Sequence, residues 1–247
     1  MTLQELPITN LPVGRVHARV IVCGDPARAD RIAERLDNAT LLSSKREYRA
    51  HNGTYRGVPI TVCSHGIGAA GAAIAFEELI VAGARTLIRV GTCGGLQPDI
   101  QPGHLVIATA AVQNTGYGRE VVPEGYPAVA SAAAALALQI AAESTDRKTR
   151  TGIVLSRDSF YPGVNVVTAP DYRVMSSANV LAVEMECAAL FIVGSLRAAQ
   201  TAAILAVDGN VLEAAESVDG YKPGRDVVHQ AVDAAISAAL EALCNLA

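Results

Sequence analysis

The 247-residue chain is about half hydrophobic, has no tryptophan, and carries a formal charge of −4 with its arginines and lysines scattered along its length. These features exclude a disordered or fibrous chain and the basic stripe that a nucleic-acid binder needs. The length suits one domain with a sizeable buried core.

The opening MTLQELPITN carries an acid and lacks both a basic start and a long apolar core. It does not read as a signal peptide, and the expected location is the cytoplasm. Short β-rich apolar runs at 19–23, 60–64, 86–90, 104–110, 151–156, 181–184 and 201–207 alternate with helix-like stretches at 27–36, 69–82, 128–142, 186–199 and 227–246. The alternation predicts an α/β fold: a single domain over residues 1–247, with a central mixed, largely parallel twisted sheet flanked by helices. Two polar stretches rich in Gly or Pro, at 113–127 and 209–225, are the segments expected to be mobile. The most apolar run, 129–142, is broken by Ser131 and Gln139 and is too short for a bilayer core of ~30 Å, so it predicts a buried helix. Cys23, Cys63, Cys93, Cys187 and Cys244 form an odd set without a CxxC pair. That pattern argues against a disulfide framework and a zinc site and predicts small buried thiols.

Ligands of open α/β sheets sit beyond the carboxyl ends of the strands, so the informative residues are those where an apolar run stops. This rule selects CGDPAR, SHGIG, RVGTCGG, RDSFYPG, VEME and AVDG. In CGDPAR, Asp25 suits a helix cap, Pro26 the first helical position, and Arg28 the first turn, which together outline an anion site. The alternative is a capped surface helix with a solvated arginine. Arg89, inside an apolar strand, would be costly to bury unpaired. Either an acid of the same sheet answers it or, as the following glycines and Thr92 favour, a bound oxyanion does. Gly66, Gly68 and Gly71 have the GxGxxG spacing of a dinucleotide turn, between a strand and a helix. The acid that should close the second strand and take the ribose is missing: Arg89 holds that place, while Glu77 and Glu78 fall within the helix. The glycines are therefore read as letting strand and helix approach closely beside an anion pocket.

GDPAR, SKREY, SHGIG, RVGTCGG, SFYPG, VEMECA and ILAVDG, in this order from about Val20 to Gly209, resemble the nucleoside phosphorylases of the trimeric/hexameric class. Within it the chain looks most like purine nucleoside phosphorylases of the protozoan type, with uridine phosphorylases as the neighbouring branch. The resemblance implies phosphorolysis of a nucleoside to free base and ribose 1-phosphate, with inorganic phosphate as co-substrate and no metal or organic cofactor. It implies that Gly24, Arg28, Arg89 and Thr92 bind phosphate, joined by Arg46 lent from a neighbouring subunit of a homohexamer built as a trimer of dimers. Met185 and Glu186 would hold the ribose, and Cys93, Gly94, Phe160 and Val183 would line the base site. No nucleic acid or membrane partner is implied.

Asp208 ends the run AAILAV. A desolvated carboxyl keeps a protonated fraction near neutrality and can donate to N7 of a departing purine, which a pyrimidine lacks. The alternative is a turn residue of an Asp-Gly pair. Uridine phosphorylases follow FYPG with a Gln and an Arg that read uracil, whereas this chain has Val164 and Val166. Inosine and guanosine are therefore expected ahead of uridine. Two departures stand out: Glu5 occupies the place of the family's ribose-5′ histidine, and Lys222 and Arg225 do not match the spacing of the arginine that assists the acid in the bacterial branch. A hydrolytic nucleosidase of the same fold and a catalytically silent nucleoside binder are the rival readings.

Overall fold

The computed structural model describes residues 4–161, 163–164, 166, 169–213 and 225–246. The strands are β1 (Arg19–Cys23), β2 (Asp37–Lys45), β3 (Tyr48–Tyr55), β4 (Val58–Ser64), β5 (Thr86–Gly95), β6 (Leu105–Asn114), β7 (Ala128–Val129), β8 (Thr149–Arg157), β9 (Ala182–Glu184) and β10 (Gln200–Asn210). The helices are α1 (Pro26–Ala33), α2 (Ala69–Ala82), α3 (Gly116–Val121), α4 (Ala132–Glu143), α5 (Tyr172–Ser177), α6 (Cys187–Leu196) and α7 (Asp226–Asn245).

All ten strands join one mixed sheet. Parallel pairings link β4, β1, β5 and β10, and also β6, β8 and β9. Antiparallel pairings of β10 with β6 and of β5 with β9 connect the two groups, so β5, β10, β6, β8 and β9 close into a ring. The β2–β3 hairpin extends the sheet beyond β4.

Helices cover both faces. Phe76 and Leu79 of α2 and Leu190 and Phe191 of α6 pack on one; Ile32 of α1, Leu138 of α4 and Ile236 and Leu240 of α7 pack on the other. Helix α6 is apolar all round, as a helix between other layers must be, and Cys187 through Gly194 are buried. Arg31 and Arg35 of α1 both engage Asp233 of α7, tying two helices of one face together.

Three expectations change. Residues 128–129 pair with β6 instead of opening α4, because the chain must run along the sheet before it turns. Residues 113–127, expected as a mobile segment, contain the end of β6 and α3. Strand β10 runs on to Asn210, past the expected stop at Val207. Most of 209–225 lies outside the described residues.

Candidate active site

Strand β5 changes neighbour along one edge. Arg89 pairs with Val22 of β1, and Gly94 pairs with Val183 of β9. Between them, residues 90–93 have no strand on that edge among the described residues, and a cavity of about 790 Å³ opens there. Gly24, Arg28, Arg89, Thr92, Cys93, Gly94, Phe160, Val183, Met185, Glu186 and Asp208 all line it. Arg46 does not. It sits exposed at the β2–β3 turn with φ of +57°, next to Glu47, which does line the cavity.

At one side of the cavity, Asp25 caps α1 by accepting from the Ala27 N–H at 2.9 Å, with Pro26 at the first helical position. The helix start thus faces the cavity, and Arg28, half-buried, donates through Nη1 to the Val90 carbonyl at 3.3 Å on the open stretch of β5. Arg28 is therefore a wall of the cavity rather than a solvated surface group.

The ion pair considered for Arg89 is present. Its Nη2 donates to Glu186 Oε2 and lies 3.4 Å from Glu184 Oε2, with the arginine only 3% exposed. Its Nε and Nη1 are buried without partners among the described residues, so one edge of the guanidinium is anchored and the rest retains donor capacity. Gly91 permits this fold-back: a Cβ there would fall 1.7 Å from Arg89 Nη1. Burial works against the charge on Arg89, but Glu186 and the neighbouring acids outweigh it and keep the guanidinium firmly protonated.

The two glutamates of VEME divide their work. Glu184 accepts from the N–H groups of Glu186 and Cys187 at 2.8 and 2.9 Å and from Ser156 Oγ, so it caps α6. Glu186 faces the cavity and accepts from the Gly68 N–H at 2.7 Å as well as from Arg89. Burial raises its pKa, yet Arg89, His65 and the Gly68 amide together hold the carboxyl below its ordinary range. The glycine turn thus supplies an N–H to a protein carboxylate at the start of α2. The close approach it permits is not between strand and helix as expected: a Cβ on Gly66 would lie 2.7 Å from Glu47 Cγ of the β2–β3 turn, whereas Gly71 has ordinary spacing. Glu78 accepts from Ile8 and Thr9 and Glu77 pairs with Arg197, which leaves both helix acids engaged in structure.

Asp208 is neither a strand end nor a turn residue. The β10 register against β5 shifts between Val207, opposite Cys93, and Gly209, opposite Gly94, which makes Asp208 the extra residue of a β-bulge. A bulge re-aims the side chain that it carries, and here the residue is 8% exposed and lines the cavity. Arg225 donates to the Asp208 carbonyl oxygen, so its contact is with the backbone. Burial, then the nearby Asp208 carboxylate, push the Cys93 thiol well above its ordinary value, so Cys93 serves as an apolar wall. Phe160 meets Tyr161 edge-on at 5.1 Å.

His65 is buried with Nδ1 2.9 Å from the Gly66 carbonyl, while Nε2 has no partner among the described residues. Burial, reinforced by Arg89, pushes its pKa down to about 4. The unfolded chain therefore binds a proton from pH 6.5 downward that the folded chain refuses. Stability is complete above about 6.5 and falls by about 3 kcal/mol as pH drops to 4. Urea denaturation at pH 7 and 4.5 should show a smaller difference for His65→Gln than for the parent chain; an unchanged difference would exclude His65 as the source.

Glu5 is exposed and bridges to Pro12. Val164 and Val166 are exposed outside the cavity, and Lys222 lies outside the described residues. The strand-end rule passed over His65, Glu184 and Arg157 as individuals, although each stands inside a motif that it selected. What they lacked was any local sign of which neighbour they would meet.

Residues 18–246 match the family model of the phosphorylase superfamily. A uridine phosphorylase of Treponema pallidum is 39% identical over 231 residues, 91% of this chain and 87% of its own. A guanosine phosphorylase of Halorubrum lacusprofundi is 40% identical over 199 residues, 81% of each chain. The crystal structure of purine nucleoside phosphorylase from Toxoplasma gondii in complex with immucillin-H aligns with a TM-score of 0.91 at 34% identity, covering 99% of this chain and 97% of that one. With a family match over nearly the whole chain and relatives named for both pyrimidine and purine nucleosides, this chain belongs to the phosphorylase superfamily, among the nucleoside phosphorylases.

Proposed function

We propose that the enzyme phosphorolyses purine nucleosides, inosine and guanosine first, to the free base and ribose 1-phosphate. The observation that carries the reading is Asp208: a carboxyl re-aimed by a bulge into a cavity that also holds the Arg28 and Arg89 guanidiniums. In the reaction the C1′–N9 bond lengthens and its electron pair passes to the base. Asp208 supplies the proton at N7, and a phosphate oxygen forms the new bond to the oxocarbenium-like C1′.

Phosphate would be held by Arg28, by the free edge of Arg89, by Thr92 and by the main chain near Gly24. Glu186, ionised, accepts from the 2′ and 3′ hydroxyls of the ribose, with Met185 beneath the sugar. Cys93, Gly94, Val183 and Phe160 would enclose the base. Arg46, exposed at the hairpin turn, is suited to enter a neighbouring subunit's cavity, in a homohexamer built as a trimer of dimers. The chemistry calls for phosphate as co-substrate and for no metal or organic cofactor, and we assign the enzyme to the cytoplasm.

A pyrimidine reading has its own support in the Treponema pallidum relative named uridine phosphorylase. One assay separates the readings: release of base from inosine, guanosine, adenosine and uridine, with and without phosphate. The expected result is phosphate-dependent cleavage of inosine and guanosine well above uridine. Uridine as the preferred substrate would overturn the purine assignment, and phosphate-independent release would mark a hydrolase.

A further inference from the structure

We infer that Arg157 reads the base, donating to the exocyclic carbonyl oxygen of a 6-oxopurine, so that inosine and guanosine are taken ahead of adenosine. This rests on the purine reading above and names the feature of the purine that is recognised.

Arg157 is the last residue of β8, one step beyond the pairing of Ser156 with Glu184, and it lines the cavity. Its position is fixed from the wall side. Nη1 donates to Tyr172 Oη at 2.6 Å, and the guanidinium carbon lies 5.4 Å from the centroid of the same ring. Tyr172 in turn packs against the cluster of Leu96, Leu155, Val180 and Val183. Val183 also lines the cavity and pairs with Gly94, so the anchored guanidinium belongs to the wall assigned to the base.

The anchoring leaves the cation incompletely satisfied. Among the described residues the side-chain partner of Arg157 is the neutral Tyr172 hydroxyl, and its Nε is buried with no acceptor. A charged donor in that condition at a cavity wall calls for an acceptor from the ligand. A nucleoside offers few. Its ribose hydroxyls are matched by the Glu186 carboxylate, its attacking phosphate by Arg28 and Arg89, and N7 by Asp208. The remaining strong acceptor of inosine or guanosine is the carbonyl oxygen on C6. Adenosine presents N–H groups at that position, so donor would face donor.

The chemistry also favours a contact that grows during the reaction. As the glycosidic electron pair moves into the purine, negative charge accumulates on the carbonyl oxygen. A fixed guanidinium then binds the transition state more strongly than the substrate, and its effect falls on kcat.

The test uses the full chain at saturating phosphate, measuring kcat and KM for inosine, adenosine and uridine. The wild type should favour inosine over adenosine by about 10-fold or more. Arg157→Met should shrink that ratio by about 10–100-fold, chiefly through kcat on inosine, with the KM for phosphate unchanged. Arg157→Lys should keep part of the preference, and Tyr172→Phe, which loosens the anchor, should lie between wild type and Met. Equal losses on inosine and adenosine, or a raised phosphate KM, would overturn the assignment. So would a wild type that cleaves inosine and adenosine alike, with the purine reading intact. Cleavage of uridine and of no purine nucleoside would instead overturn the purine reading and this inference together. If Arg157→Met does not fold, as its thermal melt will show, the wild-type ratio and the Lys variant carry the decision.

Discussion

Asp208→Asn should lower the rate of inosine phosphorolysis by about 10²–10⁴-fold while leaving the KM for phosphate within about threefold of the parent. Asparagine keeps the shape and can still offer a hydrogen bond, but it cannot transfer a proton, so the leaving purine must depart as an anion. The bulge that presents this residue is a backbone feature of β10 against β5 and should survive the change. Steady-state kinetics on inosine, with a thermal melt to confirm the fold, check the prediction. A mutant of equal activity would remove the assigned proton donor and, with it, the main reason for preferring a purine.

The second large effect concerns Arg89. Replacing it by methionine leaves Glu186 and Glu184 in the interior without their cation. Breaking a buried pair in this way costs about 3–5 kcal/mol, because the surviving charges stay desolvated. The expected result is a lowered urea midpoint together with loss of phosphate-dependent turnover. Arg89→Lys distinguishes the two contributions. An ammonium can still neutralise Glu186, yet it is a point charge and cannot present the separate Nε and Nη1 donors that lack partners among the described residues. That variant should fold and show a phosphate KM raised by about 10–100-fold. An unchanged KM would mean that Arg89 serves only to hold the glutamates.

Much of the scaffold was legible because its signals are local. Helix α2 begins and ends where expected, between Gly68 and Gly83, and β1 coincides with its apolar run. The motifs at strand ends likewise pointed to residues that converge on one cavity. The β2–β3 hairpin escaped because most of β2 is exposed, so Asp37–Lys45 carries no apolar run to betray a strand. Strand β5 outlasts its apolar stretch because Gly91, Gly94 and Gly95 are held by β10, a partner more than a hundred residues away. The bulge at Asp208 arises from the same distant pairing. Arg89 was legible as a buried charge needing an answer, but its protein partner and its remaining donors are facts of three dimensions. Arg157 opens the selected motif RDSFYPG, but nothing local marked its role, since the tyrosine that positions it lies on a separate helix.

The exchange of neighbours along β5 has an evolutionary corollary. Where that edge is uncovered, main-chain groups that no neighbouring strand pairs stand beside the Thr92 and Cys93 side chains, and peptide groups cannot be mutated away. Drift in sequence can therefore replace the side chains that the ends of β8 and β10 turn to the cavity, while this main-chain stretch of β5 persists. Relatives bearing different substrate names can share one architecture on those terms, with selectivity traded at a few replaceable positions around an inherited frame.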